Sequence, residues 1–296
     1  MRAPLRAEAE HVEAVQQTMN SRAVPRPTGL SRRGFLGLTP AAVALFLDGR
    51  MGRAWSRSRE PSPFERLHLP VLRLPVVTSN GAKVPVVVEM AHPMEPDHYI
   101  TSVHVVNPRD PVPSKGVFYF TPANGQVYLA FQARMDDGVS GVSVVAECNL
   151  HGRWSTTESV NVVEGAGGCA GVAPPPGPRA ADAIRPPSIR IPAAVRGDPI
   201  RPDRIIDVQV KIKHPNRTGL IARNGEFFQE SEPFYITDLS VFYGRERVSR
   251  YATTAALSDD PFITFRLRAG RGGPVRVVLT NNRDQRFEAV SEIRVS

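Results

Sequence analysis

Several features that are common in enzymes are absent from this 296-residue sequence. Neither half of the chain contains a glycine-rich phosphate loop, a Ser-His-Asp order or a pair of catalytic carboxylates, which excludes the commonest nucleotide-binding and hydrolase motifs. Helical periodicity is also missing after residue 60, which argues against an all-α fold. There are only two cysteines. That number is too small for a four-cysteine metal module.

An excess of basic residues is present, but it is unevenly distributed. The formal net charge is +8, and residues 1–60 hold ten of the 37 basic residues but only five of the 29 acidic ones. The rest of the chain therefore has a net charge of about +3, which is ordinary for a globular protein. We do not expect nucleic acid as a partner.

The N-terminal region resembles an export signal. Ser31-Arg32-Arg33-Gly34-Phe35-Leu36 carries paired arginines, and a short apolar run from Leu38 to Leu47 follows. Such a pattern is typical of the twin-arginine export route. The run is too short for a stable membrane span. We therefore expect residues 1–58 to be a processed signal region and the protein to be periplasmic.

The remainder is predicted to be all-β, with two immunoglobulin-like β-sandwich domains. Short strand-like segments separated by turn residues recur at regular spacing in residues 60–164 and again in 188–296. Asn80-Gly81 predicts a hairpin that joins the segments on either side of it. Between the two domains, residues 165–187 form a predicted Gly/Pro-rich linker.

One cysteine lies at the start of this linker. Cys169 is surrounded by Gly165, Gly167, Gly168 and Gly171, and a proline-rich stretch follows. Because glycine allows many backbone conformations, the pattern predicts an exposed and mobile thiol on an arm. No cationic residue adjoins Cys169 in sequence.

These segments resemble the SoxY and SoxZ proteins, the sulfur-carrier pair of thiosulfate oxidation. Gly167-Gly168-Cys169-Ala170-Gly171 stands where SoxY proteins have their cysteine arm, and Lys213-His214-Pro215 and Asp260-Pro261-Phe262 match SoxZ positions. The fusion is similar to the SoxYZ-like carriers associated with quinoprotein dehydrogenases. The resemblance implies that Cys169 holds sulfur intermediates covalently and presents them to periplasmic sulfur-oxidising or redox enzymes. Ala170 and the continuation of the chain beyond the arm depart from the family pattern.

A second resemblance concerns the first domain. The segments Leu67-His68-Leu69-Pro70, His92-Pro93-Met94-Glu95-Pro96-Asp97-His98 and Cys148-Asn149-Leu150-His151-Gly152 are similar to the iron-site segments of superoxide reductases (desulfoferrodoxin and neelaredoxin). This likeness implies a mononuclear iron with imidazole ligands His68, His92, His98 and His151 and the thiolate of Cys148. Imidazole and thiolate both suit iron. Leu67 replaces the lysine that commonly precedes the first histidine in that family.

The sequence leaves three functions open. A carrier that acts through Cys169 ranks first, and an iron-dependent redox protein of superoxide reductase type ranks second. The third is a non-catalytic accessory protein of a quinoprotein dehydrogenase system. A site without metal also stays open, with Cys148 buried or paired with Cys169. His104 and His214 are interpreted as turn or core residues.

Overall fold

A computed structural model describes residues 60–164, 167–170 and 183–296 of the chain. The predicted export segment and positions 165–166 and 171–182 of the predicted linker lie outside this part. Residues 60–296 form one compact unit. Two short helices are present, α1 (Pro63–His68) and α2 (Pro192–Arg196). Among the described residues, no helix has the length and apolar character needed to cross a membrane.

Strands make up most of the unit, and they occur in both halves of the sequence. The N-terminal half contributes β1 (Val71–Arg73), β2 (Val77–Thr78), β3 (Val84–Glu89), β4 (Ile100–Val106), β5 (Ser114–Phe120), β6 (Tyr128–Ala133), β7 (Gly138–Cys148) and β8 (Gly152–Val162). The C-terminal half contributes β9 (Arg185–Arg190), β10 (Ile205–Lys213), β11 (Leu220–Arg223), β12 (Glu226–Gln229), β13 (Ile236–Tyr243), β14 (Glu246–Thr253), β15 (Phe262–Arg268), β16 (Gly273–Asn281) and β17 (Arg286–Ile293). The all-β prediction is confirmed.

The strands assemble into two large sheets that both run through the two halves. One has six strands in the order β1-β3-β6-β15-β10-β9, and the other has nine in the order β17-β16-β13-β14-β5-β4-β7-β8-β2. The strands β11 and β12 form a separate two-stranded sheet. The halves are joined where β6 pairs with β15 and β5 pairs with β14, both antiparallel. We call these two strand pairs the seam.

A single hydrophobic core lies between the two large sheets. The burial of β3 alternates along the strand, as expected for a sheet with one face against a core. At the seam, the ring of Phe118 lies 4.9 Å from that of Phe131 in its own half and 5.4 Å from that of Tyr251 in the other half, measured between centroids. Because these rings come from both halves, apolar burial at the seam stabilises the two halves together.

The antiparallel pairing predicted across Asn80-Gly81 is confirmed, because β1 pairs with β3 and places Val71 opposite Glu89 and Arg73 opposite Val87, but the connection is not a tight two-residue turn. The segment Gly81–Lys83 is a turn of 3-10 helix, and it carries the chain from β2 in the nine-stranded sheet to β3 in the six-stranded sheet. The strand β2 instead pairs in parallel with the end of β8. The carbonyl oxygen of Gly81 accepts a hydrogen bond from the Met135 backbone N–H, 2.8 Å away. The turn is therefore bonded to the segment between β6 and β7 as well as within itself, where the Lys83 N–H donates to the Asn80 carbonyl at 3.2 Å.

Candidate functional site

The first candidate site begins at helix α1. Ser62 and Glu65 form a reciprocal capping box, in which the Ser62 hydroxyl accepts from the Glu65 N–H (3.2 Å) and the Glu65 carboxylate accepts from the Ser62 N–H (2.7 Å). Pro63 occupies the first turn, where its missing N–H costs nothing. His68 is the last residue of the helix and is buried. Its Nδ1 lies 2.8 Å from the Phe64 carbonyl oxygen and donates to it, which leaves Nε2 as an acceptor.

Two loops bring the other side chains to the same place. His98 follows a tight turn in which the backbones of Glu95 and His98 exchange two hydrogen bonds of 3.1 Å. Asn149 lies in the turn between β7 and β8, where its side chain accepts from the Tyr99 N–H (2.9 Å) and donates to the Asp97 carbonyl (2.8 Å). This amide therefore fixes the His98 loop against the turn that carries Cys148 and His151.

The structure brings all five predicted ligands together. One ligand atom from each of His68, His92, His98 and Cys148 lies within 4.8 Å of the others. The Nδ1 atom of His151 lies 3.0 Å from His68 Nε2, 3.1 Å from His98 Nε2 and 3.6 Å from Cys148 Sγ. Distances of this size between donor atoms suit a shared ion that each of them could reach at about 2–2.3 Å.

His92 provides a test of whether the cluster fits a metal. Its Nδ1 donates to the Pro93 carbonyl oxygen, and its Nε2 is buried without a hydrogen-bond partner. A buried, unpaired nitrogen costs free energy unless another group occupies its lone pair. Burial, together with the neighbouring imidazoles and against the hydrogen bond to Pro93, lowers the pKa of His92 to about 4. The ring is therefore neutral at physiological pH, the form that binds a metal.

The rim of the cluster is aromatic and apolar. The ring of Phe64 lies 4.4 Å from that of His68 and 5.8 Å from that of Trp154, measured between centroids. Leu67 is 40% exposed at the position where superoxide reductases commonly carry lysine. The neighbouring Arg66 donates to the Pro61 carbonyl at 2.6 Å. The cation expected from that family at this position is therefore absent.

Cys169 is not exposed, contrary to the prediction from its glycine-rich neighbourhood. The residue is 1% exposed. A Cβ atom on Gly168 would lie 2.2 Å from the Ala82 nitrogen, so only glycine fits against the turn at Gly81–Lys83. The Gly168 N–H donates to the Met135 carbonyl at 2.9 Å. At this position glycine allows a close backbone contact, and this contact fixes the arm against the Gly81–Lys83 turn.

Residues from both halves hold the arm. The Arg134 guanidinium donates to the Gly168 carbonyl at 2.9 Å and to the Asn216 carbonyl at 2.7 Å. It also pairs with Asp259, whose carboxylate oxygen lies 3.0 Å from Nη2. The Thr218 hydroxyl donates to the Cys169 carbonyl at 2.7 Å. Sequence reasoning missed Arg134 and Thr218, because no local motif marks a side chain that bonds to a distant backbone carbonyl.

Buried charges surround the thiol. Lys115 and Asp110 are almost fully buried and form an ion pair of 2.5 Å, and the Asp136 N–H donates to the same aspartate at 2.9 Å. Burial raises the pKa of Cys169 to about 12; Lys115 opposes the rise and Asp110 and Asp136 add to it. The cations that act on Cys169 in the folded protein, Lys115 and Arg134, are distant from it in sequence. In this conformation the thiol is protonated.

The remaining expectations about cysteine and histidine are also settled by contacts. Both cysteines are free, so the alternative of a Cys148–Cys169 disulfide is wrong. His214 is fully buried, with Nδ1 3.0 Å from Asn216 Oδ1 and Nε2 3.1 Å from Asn281 Nδ2. It is a core residue, as predicted. His104 is half-buried on β4, with its Nε2 3.0 Å from the Ser114 hydroxyl.

Comparison with known proteins identifies both halves of the chain. The family described as sulfur oxidation protein SoxY matches residues 65–169, and the family described as sulphur oxidation protein SoxZ matches residues 195–292. Among curated protein sequences, none matches this chain.

Similar solved structures include two superoxide reductases. That of Ignicoccus hospitalis (neelaredoxin) is 21% identical, with a TM-score of 0.28 over 38% of this chain and 82% of its own. That of Nanoarchaeum equitans is 20% identical, with a TM-score of 0.27 over 32% of this chain and 94% of its own. The candidate metal centre therefore rests on its donor atoms rather than on these relatives. The two family matches together span most of the chain, which is a fused SoxYZ-like protein with a SoxY domain and a SoxZ domain in one polypeptide.

Proposed function

We propose that this protein is a sulfur carrier and that Cys169 is the thiol that holds the cargo. The observation that supports the role of Cys169 is that the SoxY match ends on this residue, while the SoxZ match covers the other half of the same compact unit. Sox-type enzymes are the partners that such a carrier would serve. Burial raises the pKa of the Cys169 thiol to about 12, so we expect the carrier to depend on its partners for activation of the thiol.

The bond to the cargo is a disulfide-type S–S bond. When the Cys169 thiolate joins the outer sulfur of thiosulfate, one S–S bond forms and two electrons are released to an oxidising partner enzyme. The thiol proton goes to solvent or to a base of the partner. Because the thiolate rather than the thiol is the nucleophile, the pKa of about 12 in the closed arm must fall before this step. Exposure of the arm within a partner cleft removes the burial that raises the pKa.

Intact-mass analysis tests the carrier role. The purified chain is incubated with thiosulfate and a Sox-type oxidising enzyme, and its mass is compared with that of Cys169→Ser and Cys148→Ser. We expect a sulfur adduct on the wild type and on Cys148→Ser but not on Cys169→Ser. An adduct that persists in Cys169→Ser, or none in the wild type, contradicts the proposal. A purely accessory protein predicts that neither substitution affects function.

We further infer that the carrier works in the periplasm. The support is the sequence Ser31-Arg32-Arg33-Gly34-Phe35-Leu36, which lies outside the described residues. Cell fractionation of the wild type and of a variant with Arg32→Lys and Arg33→Lys tests this inference. Equal periplasmic amounts of the two proteins contradict twin-arginine export.

A second function is supported by the five donor atoms of His68, His92, His98, Cys148 and His151. Nitrogen and sulfur donors of this kind suit iron, with zinc and copper as competitors. When bound, a mononuclear iron supplies one-electron redox chemistry, as in a superoxide reductase. The chain itself orients the ligands: the Phe64 carbonyl fixes the His68 tautomer, and Asn149 positions the His98 loop. The rings of Phe64 and Trp154 pack against that of His68 on one side of the cluster.

Metal analysis of natively produced protein tests this second function. We expect stoichiometric iron and, after oxidation, a thiolate-to-iron charge-transfer band. Cys148→Ser should lose the band, while Cys169→Ser should keep it, which separates the two cysteines. Iron far below one equivalent, together with no band, counts against the site.

A further inference from the structure

The arm that carries Cys169 is closed by contacts that belong to both Sox domains. On the SoxY side, Arg134 and Met135 bond to the carbonyl and the N–H of Gly168. On the SoxZ side, the Thr218 hydroxyl bonds to the Cys169 carbonyl, and Arg134 reaches across to Asn216. The bonds at Gly168 and Cys169 all involve the backbone of the arm, so they hold its position without occupying the sulfur atom.

From these contacts we propose that Arg134 and Thr218 form a latch that keeps the thiol of Cys169 inaccessible until a partner opens the arm. The proposal rests on the carrier role of Cys169 and adds to it a closed resting state. The latch can open because it consists of a few hydrogen bonds to the backbone of the arm, of which the bond from Thr218 is neutral and the bond from Arg134 is charge-assisted. It is specific, because Gly168 fits against the Ala82 backbone only without a side chain.

A closed arm protects the thiol in two ways. Burial keeps oxidants and foreign thiols away from Cys169, which is 1% exposed. Desolvation by burial and the carboxylates of Asp110 and Asp136 disfavour the thiolate, although the cations of Lys115 and Arg134 partly oppose them. Because both oxidation and disulfide exchange proceed through the thiolate, the closed arm is inert. A partner that competes for the latch contacts would expose the thiol only where it is needed.

Alkylation kinetics test the latch without any cargo or partner enzyme. The full chain is treated with iodoacetamide for increasing times, quenched and digested with trypsin. Cys169 then lies on the peptide Trp154–Arg179 and Cys148 on Met135–Arg153, so the two thiols are read separately. We expect the wild-type Cys169 to react at least about tenfold more slowly than in urea-denatured protein, because exposed thiolate is scarce in the closed arm.

Two variants should open the latch, and each has a matched control. Thr218→Val should speed alkylation of Cys169 by about two- to tenfold, the range for loss of one hydrogen bond. Thr253→Val is its control, since Thr253 is equally buried and donates to the Ile236 carbonyl instead. Gly168→Ala should bring the rate near that of the denatured protein. Gly141→Ala is its control, because a Cβ atom there meets only Thr157 Cγ2 at 3.4 Å.

The outcomes separate the latch from the carrier role. Wild-type Cys169 that reacts as fast as in urea would overturn the latch, as would slow rates unchanged in both Thr218→Val and Gly168→Ala. Equal acceleration in the control variants would show general loosening and would also overturn it. Failure to find a sulfur adduct on Cys169 leaves these rates unaffected, so the two proposals fail independently.

Discussion

At the scale of single residues, the histidines divide into two groups according to what their ring nitrogens contact. Both nitrogens of His214 lie beside amides, from Asn216 and Asn281, so the ring is satisfied within the core. His92 satisfies only Nδ1 and leaves Nε2 buried without a partner. This unpaired nitrogen, close to three other ligand atoms, distinguishes His92 as a candidate ligand from the core residue His214.

The first prediction concerns this difference. His92→Gln should lower iron affinity by well over tenfold, because removal even of an outer partner of a metal ligand typically costs 10–100-fold. His104→Gln, which changes a histidine bonded to Ser114 rather than to the cluster, should retain full iron content. Metal content after dialysis against a weak chelator measures both. Equal iron retention in the two variants would contradict the assignment of His92 as a ligand.

The second prediction is a pH dependence of stability that comes from His214. Burial lowers its pKa to about 4, although Asn216 and the nearby carboxylates oppose the shift. In the unfolded chain, the imidazole of His214 has a pKa of about 6.5, so between about pH 6.5 and pH 4 it binds a proton that it does not bind in the folded protein. The contribution of this ring to stability is therefore complete above about pH 6.5 and is lost as the pH falls towards 4. Its slope approaches at most about 1.4 kcal/mol per pH unit.

Urea unfolding at several pH values between 7 and 4.5 measures this slope. The variant His214→Gln keeps polar groups near Asn216 and Asn281 but cannot titrate. We expect its free energy of unfolding to be lower at pH 7 and to fall less steeply with decreasing pH than that of the wild type. Parallel curves for the two proteins would contradict the prediction.

The residues of the candidate metal cluster could be predicted because the segments around His68, His92 and Cys148 resemble the iron-site segments of superoxide reductases. Imidazole and thiolate groups are also the types that suit a metal such as iron. The sequence could not predict the surroundings of Cys169. Arg134 and Thr218 are of types that occur at many positions, and they reach the arm only because the folded chain brings distant segments together.

At the scale of elements, helix α1 links a local sequence signal to the candidate site. The six residues of α1 are too few for a helix that is stable alone, so the Ser62–Glu65 capping box and packing must hold it. His68 lies at its C-terminal end and directs Nε2 into the cluster. If helix α1 becomes less ordered, the Nε2 atom of His68 is therefore held less accurately in the cluster.

The third prediction follows from this dependence. Ser62→Ala removes one member of the capping box and should destabilise α1 by about 1 kcal/mol. The affinity for iron should then fall by about fivefold, since part of the binding energy must order the helix. Ser240→Ala is the control, because it removes a serine hydroxyl that bonds to Asp238 on β13. Chelator competition measures both affinities, and an identical change in the two variants would contradict a role for the cap.

The arm shows why glycine is ambiguous in a sequence. The same residue type serves a flexible linker and a close backbone contact, and Gly168 belongs to the second class because Ala82 lies against it. Ala82 lies in the turn between β2 and β3, whereas the arm follows β8 at the end of the SoxY domain. No local sequence pattern indicates that these two segments meet. The prediction of an exposed thiol was therefore reasonable from composition but wrong for Cys169 in the structure, where the residue is buried.

At the scale of the whole molecule, the two Sox domains share both large sheets rather than standing apart. The sequence predicts each sandwich from its own strands, whereas the seam depends on pairing between β5 and β14 and between β6 and β15, which lie far apart in sequence. The sequence of a single strand does not specify which distant strand it pairs with. The seam also buries aromatic rings, so the contact between the domains resembles a core more than a loose interface.

The fourth prediction is that the two domains stay together when the chain between them is cut. A protease site inserted after Ala173, in the stretch that links the domains in sequence, allows cleavage of the folded protein. We expect the two fragments to elute as one species from a size-exclusion column, because backbone pairing and apolar burial at the seam do not require the link.

Phe265→Ala should weaken this association by roughly 3–5 kcal/mol, the usual cost of removing a buried phenylalanine, and the cut fragments should separate on dilution. Phe287→Ala is the control, since Phe287 packs at β17 on the outer edge of the sheet. If the fragments of the cut protein without the Phe265 substitution separate at once, the link and not the seam holds the two domains together.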